Sequence, residues 1–283
     1  LPVENCALVS SEANSLLSAF KELIETSPLP AIGQIAIRQS FSSSALLAIL
    51  YSDNKQSLAE AASKWLPRLT AHPGLTGVAG ILNRHPGARP ASIYGQLNLE
   101  EKLEKVSLRY GPESFFQVNP PQLLAVLKGL KTWFVELKPV RLLDLYAGVG
   151  TFGLLLSDYA SEVLAIEAEP ANIFYFKENL RLNQATNIKL VAGRVEQRLN
   201  EITAFQPEAA IVDPPRKGLE PELIAVLKKI PLKSIFYLSC HPATLARDLN
   251  RLRPEFQPVA IRAFDFFPRT PHVEVLARLE RAD

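Results

Sequence analysis

Leu143-Asp144-Leu145-Tyr146-Ala147-Gly148-Val149-Gly150-Thr151-Phe152-Gly153 is the stretch on which the reading of the fold turns. An apolar run of strand length enters a turn holding two glycines, and a third follows at helical spacing, so a strand, a tight turn and a helix start are predicted. Glycines there let the backbone approach a ligand closely, while the helix start offers free N–H groups. The spacing Gly148, Gly150, Gly153 satisfies G-x-G-x-x-G, so this stretch alone admits an NAD-dependent oxidoreductase as readily as any other enzyme with a nucleotide cofactor. Glu167, predicted at the end of the next strand, can take a ribose diol in either case, because its oxygens accept two hydroxyl hydrogen bonds.

Working outward, the pattern stays regular. Strands are predicted over 141–145, 162–166, 188–192, 209–212 and 234–238, alternating with helices over 121–137, 170–184, 195–203, 221–229 and 242–252. Such alternation predicts a doubly wound, mainly parallel α/β sheet. The last two strands, 259–266 and 273–280, have no helix between them, so one is expected to run antiparallel at the end of the sheet, an ending similar to that of Rossmann-like nucleotide-binding folds of the class I methyltransferase type. Before residue 114 the pattern changes. A helix over 5–27 carries Leu8, Ala13, Leu16, Leu17, Phe20, Leu23 and Ile24 at helical spacing, and ends before Pro28. Strands over 34–38, 45–51 and 77–82, a helix over 56–65, a polar turn from Ala88 and a hairpin of strands 93–97 and 106–109 follow. The expected organisation is a smaller α+β domain, 1–113, and an α/β catalytic domain, 114–283.

Composition sets the outer bounds. With 283 residues, 47% of them apolar, the chain has material for two cores. A net charge of +2 neither demands nor excludes a polyanionic partner. There is no apolar run of about 18 residues and no signal-peptide pattern, so no membrane partner and a cytoplasmic location are expected. Cys6 and Cys240 are the only cysteines, and in such a chain two distant thiols are expected to be reduced. No His or Cys cluster has metal-ligand spacing, so no metal is expected. The chain starts at Leu1 and contains no methionine, so its natural N-terminus is expected to lie upstream.

Three further stretches narrow the chemistry. Asp213-Pro214-Pro215-Arg216 ends the fourth strand beside the cofactor crevice, and its prolines fix the backbone and withhold N–H donors. Methyltransferases acting on planar nitrogenous groups commonly carry Asp or Asn before two prolines there, whereas a dehydrogenase has no need of them; a plain strand-ending turn is the bland alternative. Ser239-Cys240-His241-Pro242 ends the fifth strand where a helix begins, a position that predicts a depressed thiol pKa. A lone cysteine is otherwise a small buried hydrophobe. His272-Val273-Glu274 follows a proline-rich loop, and Glu274 on its own would read as a solvated strand end.

Taken jointly and in order, Ser114-Phe115-Phe116-Gln117-Val118-Asn119, Asp144 to Gly150, Glu167, Asp213-Pro214-Pro215-Arg216-Lys217-Gly218, Ser239-Cys240, Thr244 with Ala246-Arg247-Asp248, and His272-Val273-Glu274 make the chain resemble the RNA uracil-5-methyltransferases. The resemblance implies S-adenosyl-L-methionine as cofactor and RNA as partner, 23S ribosomal RNA in preference to transfer RNA, with 1–113 loosely resembling the family's central RNA-contacting domain, and a monomer is expected. It implies that Gln117, Tyr146, Thr151, Glu167 and Asp213 contact cofactor or uracil around the Gly148 turn, with Cys240 as nucleophile and Glu274 as base. Phe115 and Phe116 are expected to stack on bases, and Arg216, Lys217, Arg247, Arg251 and Arg269 to meet phosphates. Three positions depart from the family: His241 stands in place of Asn, Arg194 in place of Asp, and Thr151 where Asn is frequent. Members acting on ribosomal RNA often hold a [4Fe-4S] cluster through four cysteines, and Cys6 matches the last of these, so a cluster is expected only in a longer chain. Methylation of a nitrogen and a purely RNA-binding role with a degenerate catalytic domain remain as alternatives.

Overall fold

The computed structural model describes residues 5–83 and 89–282, which divide into two compact units, Leu1–Ser114 and Phe115–Asp283. In the first unit, helix α1 (Ser11–Thr26) starts where the Ser10 hydroxyl accepts the Ala13 N–H at 3.1 Å, a later start than the apolar pattern alone indicates. A four-stranded sheet of β1 (Ile32–Gln39), β2 (Leu46–Ser52), β3 (Leu75–Leu82) and β4 (Ala91–Gly95) runs in the order β1-β2-β3-β4, with β2 and β3 parallel and the other pairs antiparallel. Helix α2 (Lys55–Lys64) and the short α3 (Leu66–Leu69) complete this layer. Phe20 and Trp65 meet edge to face at 6.2 Å in the core, and the Trp65 indole N–H donates to the Ser27 carbonyl at 2.8 Å. The polar turn expected from Ala88 begins outside the described residues.

The expected hairpin of strands 93–97 and 106–109 is wrong in its pairing. β4 joins β3, and the partner of β6 (Val106–Tyr110) is β5 (Leu99–Leu103), joined through Glu104 and Lys105. Leu99-Glu100-Glu101-Lys102-Leu103 looks too charged for a strand. Glu101, however, is 1% exposed, and its carboxylate accepts the N–H groups of Phe41 and Ser42 at 2.7 and 2.8 Å. A buried charge held by two backbone donors takes the place of an apolar residue.

The second unit contains α4 (Pro120–Leu137), β7 (Arg141–Leu145), α5 (Thr151–Leu156), β8 (Glu162–Glu167), α6 (Pro170–Leu182), β9 (Ile188–Ala192), α7 (Leu199–Phe205), β10 (Ala209–Val212), α8 (Pro221–Lys229), β11 (Ser234–Ser239), α9 (Pro242–Leu252), β12 (Phe256–Phe264) and β13 (Glu274–Arg281). Its seven strands lie in the order β12-β13-β11-β10-β7-β8-β9. The first five in sequence are parallel, and β13 lies antiparallel between β11 and β12. Strand order reverses between β7 and β10, the place where a doubly wound sheet opens a crevice for ligand. The strands bordering it are apolar on both faces, as a two-sided core requires. The helix predicted over 195–203 is instead a 3-10 turn, Val195–Gln197, followed by α7. Arg198 leaves helical geometry at that junction, and its guanidinium bonds the Ala192 carbonyl at 2.8 and 3.1 Å.

Candidate active site

The crevice begins at the carboxyl end of β7. Asp144 is buried and accepts the Gly153 N–H at 2.8 Å, which ties the strand to the start of α5 and closes the glycine turn. Burial above all pushes its carboxyl up to about 7, Glu167 adds to the rise, and the Gly153 hydrogen bond opposes it. Tyr146 sits in left-handed backbone geometry and donates its hydroxyl to Glu196 at 3.1 Å. Burial, then the Glu196 carboxylate, raises that phenol and keeps it protonated.

At Gly150, φ is +91° and a Cβ would lie 2.3 Å from Phe176, so only glycine fits; at Gly148 a Cβ would meet nothing within 4 Å, which leaves the backbone bare towards open space. Asn179, buried on α6, holds the turn from behind through the Val149 carbonyl at 2.9 Å. Glu167 ends β8 as predicted. One of its oxygens accepts Gly148 N–H at 2.7 Å, and the other accepts those of Ala168 and Glu169 at 2.9 and 2.8 Å. Thr151, buried, opens α5.

Asp213 follows β10, and the buried Gln117 donates to its carboxylate at 3.3 Å. Desolvation raises the Asp213 carboxyl well above its ordinary range, Glu274 and Asp144 raise it further, and the Gln117 amide opposes them. Glu274 and Asp144 thus both disfavour charge on Asp213, as Glu167 does on Asp144.

Cys240 follows β11 and Glu274 opens β13. The antiparallel ladder ends at Ser239 and Val275, with Cys240 and Glu274 the next residue on each side, and the Glu274 carboxyl acts on the Cys240 thiol. These two residues are 34 positions apart in sequence, and only the inserted β13 brings them together. Glu274 is 5% exposed and its Oε2 has no hydrogen-bond partner. The solvated strand end is thereby excluded. Burial pushes this carboxyl up to about 7. The depressed thiol expected from the helix start is also corrected: burial and the facing Glu274 raise Cys240, while a hydrogen bond and the positive charge of Arg216 pull the other way.

Thr244 and Asp248, which carry no part in the expected chemistry, hold the loop after Asp213 together with Arg247. From α9, Thr244 Oγ1 donates to the Arg216 carbonyl at 3.1 Å and Arg247 Nη2 to that of Lys217 at 2.6 Å. The fully buried Asp248 accepts Leu219 N–H at 2.8 Å and the Tyr237 hydroxyl at 2.9 Å. Arg216 is thereby kept beside Cys240. Lys217 pairs with Glu220 at 2.5 Å, and Arg247 and Arg251 lie against Asp248 at 2.8 and 3.7 Å, while all three side chains stay partly exposed. His241 caps α9 through Nδ1, which accepts Thr244 N–H at 3.2 Å, a task that an Asn carboxamide performs equally well. Arg194 pairs with Glu196 at 3.7 Å, the same carboxylate that holds Tyr146. Phe115 is 57% exposed and free to stack, whereas Phe116 is 5% exposed and is core, contrary to expectation. Glu196, Asn179 and Tyr237 escaped the sequence reading, because nothing in a single chain distinguishes them from ordinary helix and strand residues.

Both cysteines are free thiols. Cys6 precedes α1, its N–H donating to Asn14 at 2.8 Å, and a four-thiolate cluster does not fit the single cysteine of its unit. Among the described residues no group of three His, Cys, Asp or Glu is placed to hold a metal, and no helix is long and apolar enough to cross a membrane.

A switch-point crevice with a glycine turn and an antiparallel strand inserted beside β11 defines a class I methyltransferase of the S-adenosylmethionine-dependent kind, and solved structures carry the same fold. The Pyrococcus abyssi tRNA (uracil-54, C5)-methyltransferase, solved with S-adenosyl-L-homocysteine, superposes with a TM-score of 0.79 at 24% identity over 99% of this chain and 69% of that one. The M. jannaschii tRNA m1G37 methyltransferase does so at 0.58 and 15% identity, over 90% of this chain and 78% of its own. The model of the tRNA (uracil-5-)-methyltransferase family matches residues 91–282, and the chain belongs to that family. An uncharacterized RNA methyltransferase of Thermosynechococcus vestitus, tlr0942, is 31% identical over 98% of this chain and 64% of its own length; one of Lactobacillus johnsonii is 36% identical over 68% of this chain and 42% of its own. The chain thus spans less than two thirds of the length of these relatives. Membership of this family sets aside the NAD-linked oxidoreductase.

Proposed function

We propose that this chain is the catalytic part of an enzyme that methylates carbon 5 of a uridine in RNA, with Cys240 as covalent nucleophile and Glu274 as base. The observation that carries the proposal is the placement of Cys240, just past the end of β11, beside the buried Glu274, whose carboxyl carries an unpartnered oxygen and is pushed up to about 7. Carbon 5 of uracil is a weak nucleophile, so a covalent route through carbon 6 makes chemical sense. S-adenosyl-L-methionine, when bound, supplies an electrophilic methyl group; the open space beside the Gly148 Cα and the Glu167 carboxylate at the end of β8 fit its nucleoside.

Every other task falls to side chains. The Cys240 sulfur, with Arg216 favouring its thiolate, forms a bond to carbon 6, and the displaced electron pair makes carbon 5 nucleophilic. After methylation Glu274 takes the carbon-5 proton, the C5–C6 double bond re-forms, and the Cys240–C6 bond breaks to return the thiolate. A carboxyl near 7 is matched to that proton transfer. Gln117 and Asp213 orient uracil and cofactor, the Gln117 amide donating to the Asp213 carboxyl. A stacked base hides carbon 6, so the uridine is unpaired or flipped, with Phe115 exposed to receive a base.

For the substrate we favour 23S ribosomal RNA, acted on by a cytoplasmic monomer, on the strength of the family pattern and the position of Cys6. Transfer RNA is the alternative, and the printed names of the family and of the Pyrococcus neighbour favour it for those proteins. A [4Fe-4S] cluster would need ligands from outside residues 1–283. Incubation with carbon-5-tritiated 23S RNA fragments or tRNA plus S-adenosylmethionine tests the chemistry. Tritium release into water is expected; methyl transfer without it would mean a nitrogen target, and RNA binding with neither a degenerate catalytic unit.

A further inference from the structure

The first unit contains a concave site to which the reaction assigns no role. A cavity of about 390 Å³ is lined by Ser43, Thr76, Gln96, Asn98, Glu100 and Arg109 among others. Its walls are fixed by the backbone. Gln96 N–H donates to the Thr76 carbonyl at 3.1 Å, an approach so close that a Cβ at Gly77 would lie 1.8 Å from the Gln96 oxygen and one at Gly95 2.1 Å from that of Thr76. Opposite, the turn at 40–43 is pinned to the β5–β6 hairpin: Ser40 Oγ donates to the Glu100 carbonyl at 2.7 Å, and Glu101 holds the amides of Phe41 and Ser42.

Of the lining residues, Gln96 is exposed and Asn98 half-buried, and the side-chain amide of each, with two donors and an acceptor, makes no hydrogen bond to a described residue. Arg109 and Glu100 pair at 3.0 Å and cancel each other's charge. A neutral pocket disfavours a bare phosphate. It suits a planar ligand with donors and acceptors along one edge, and carboxamides read such edges on nucleobases.

We propose that this cavity is a base pocket, which takes one unstacked nucleobase of the RNA substrate, other than the target uridine, and reads its edge with Gln96 and Asn98. The proposal rests on the RNA substrate argued above. It is tested on the full chain with the same tritiated RNAs, with affinity measured separately by filter binding in S-adenosylhomocysteine. The double variant Gln96→Ala/Asn98→Ala is expected to bind RNA about tenfold more weakly and to raise KM alike, with kcat and melting temperature unchanged. Ser63→Ala, exposed elsewhere on the unit, leaves both at the wild-type value. RNA affinity of the double variant within twofold of wild type overturns the base pocket. So does a loss of binding to adenosine or guanosine monophosphate without any change towards RNA, which would make the cavity a small-molecule site. Absence of tritium release from wild type, with the RNA affinity difference intact, would strike the proposed chemistry and leave the pocket standing.

Discussion

Two glutamates stand at the ends of neighbouring regions of one sheet, both buried and both at a strand end that faces the crevice, yet they are treated in opposite ways. Glu167, on the β7–β8 side, spends both oxygens on three backbone N–H groups and fastens the glycine turn. Glu274, on the β11–β13 side, has an oxygen with no partner and a carboxyl lifted to about 7 by burial alone. A carboxylate held by several backbone donors is fixed in place, whereas a buried one left unsatisfied costs stability and is kept ready to move a proton. The crevice thus divides into a half that holds and a half that reacts.

Replacing the nucleophile should break the reactive half most completely. Cys240→Ala is expected to lower kcat by about 10⁴-fold or more with S-adenosylhomocysteine affinity unchanged, as calorimetry would show; retained turnover would refute covalent chemistry. Glu274→Gln should slow turnover about 10²- to 10⁴-fold and let a protein–RNA adduct accumulate on denaturing gels.

The same variant carries a pH signature. Because the folded carboxyl lies above its ordinary 4.5, the folded chain binds a proton that the unfolded chain gives up between about 4.5 and 7, so this group's contribution to stability is full below 4.5 and falls as pH rises to about 7. Wild-type turnover should rise with pH through about 7 as the base ionises. Glu274→Gln should lose the residue's share of the stability decline, giving a relative gain of order 1–3 kcal/mol at pH 8 in denaturant titrations.

On the holding half the expected effects are smaller and of another kind. Glu167→Ala should weaken S-adenosylhomocysteine binding roughly 10- to 100-fold, with loss of the turn's anchor, while the adduct chemistry of Cys240 persists at saturating cofactor. The smallest change tests the cap beside the nucleophile. His241→Asn should leave melting temperature and kcat within about twofold of wild type, since Asn supplies the same acceptor, whereas His241→Ala should cost about 1 kcal/mol in thermal unfolding.

Much of this division was legible in the chain itself, but unevenly. The glycine turn, Glu167 and the alternating strands announce themselves through local spacing, and the strand starts and stops largely fall where the pattern puts them. What stayed hidden depends on burial. Glu101 looks like a reason against a strand until two backbone amides are found on its carboxylate, and Phe116 looks as available for stacking as Phe115. Asp248 is one acid among many until it is seen beneath Leu219 and Tyr237, holding the loop that carries Arg216.

Sequence by itself determined the doubly wound order of elements, the crevice at the end of β7 and the residue types that face it, because periodicity and turn chemistry act over a few neighbours at a time. Tertiary structure alone decided the state of the reactive pair. The insertion of β13 beside β11 sets Glu274 against Cys240, and desolvation there raises both groups, against the lowered thiol that the helix start alone predicts. Electrostatic shifts of that size arise from what surrounds a group in space, and no local stretch of chain encodes it.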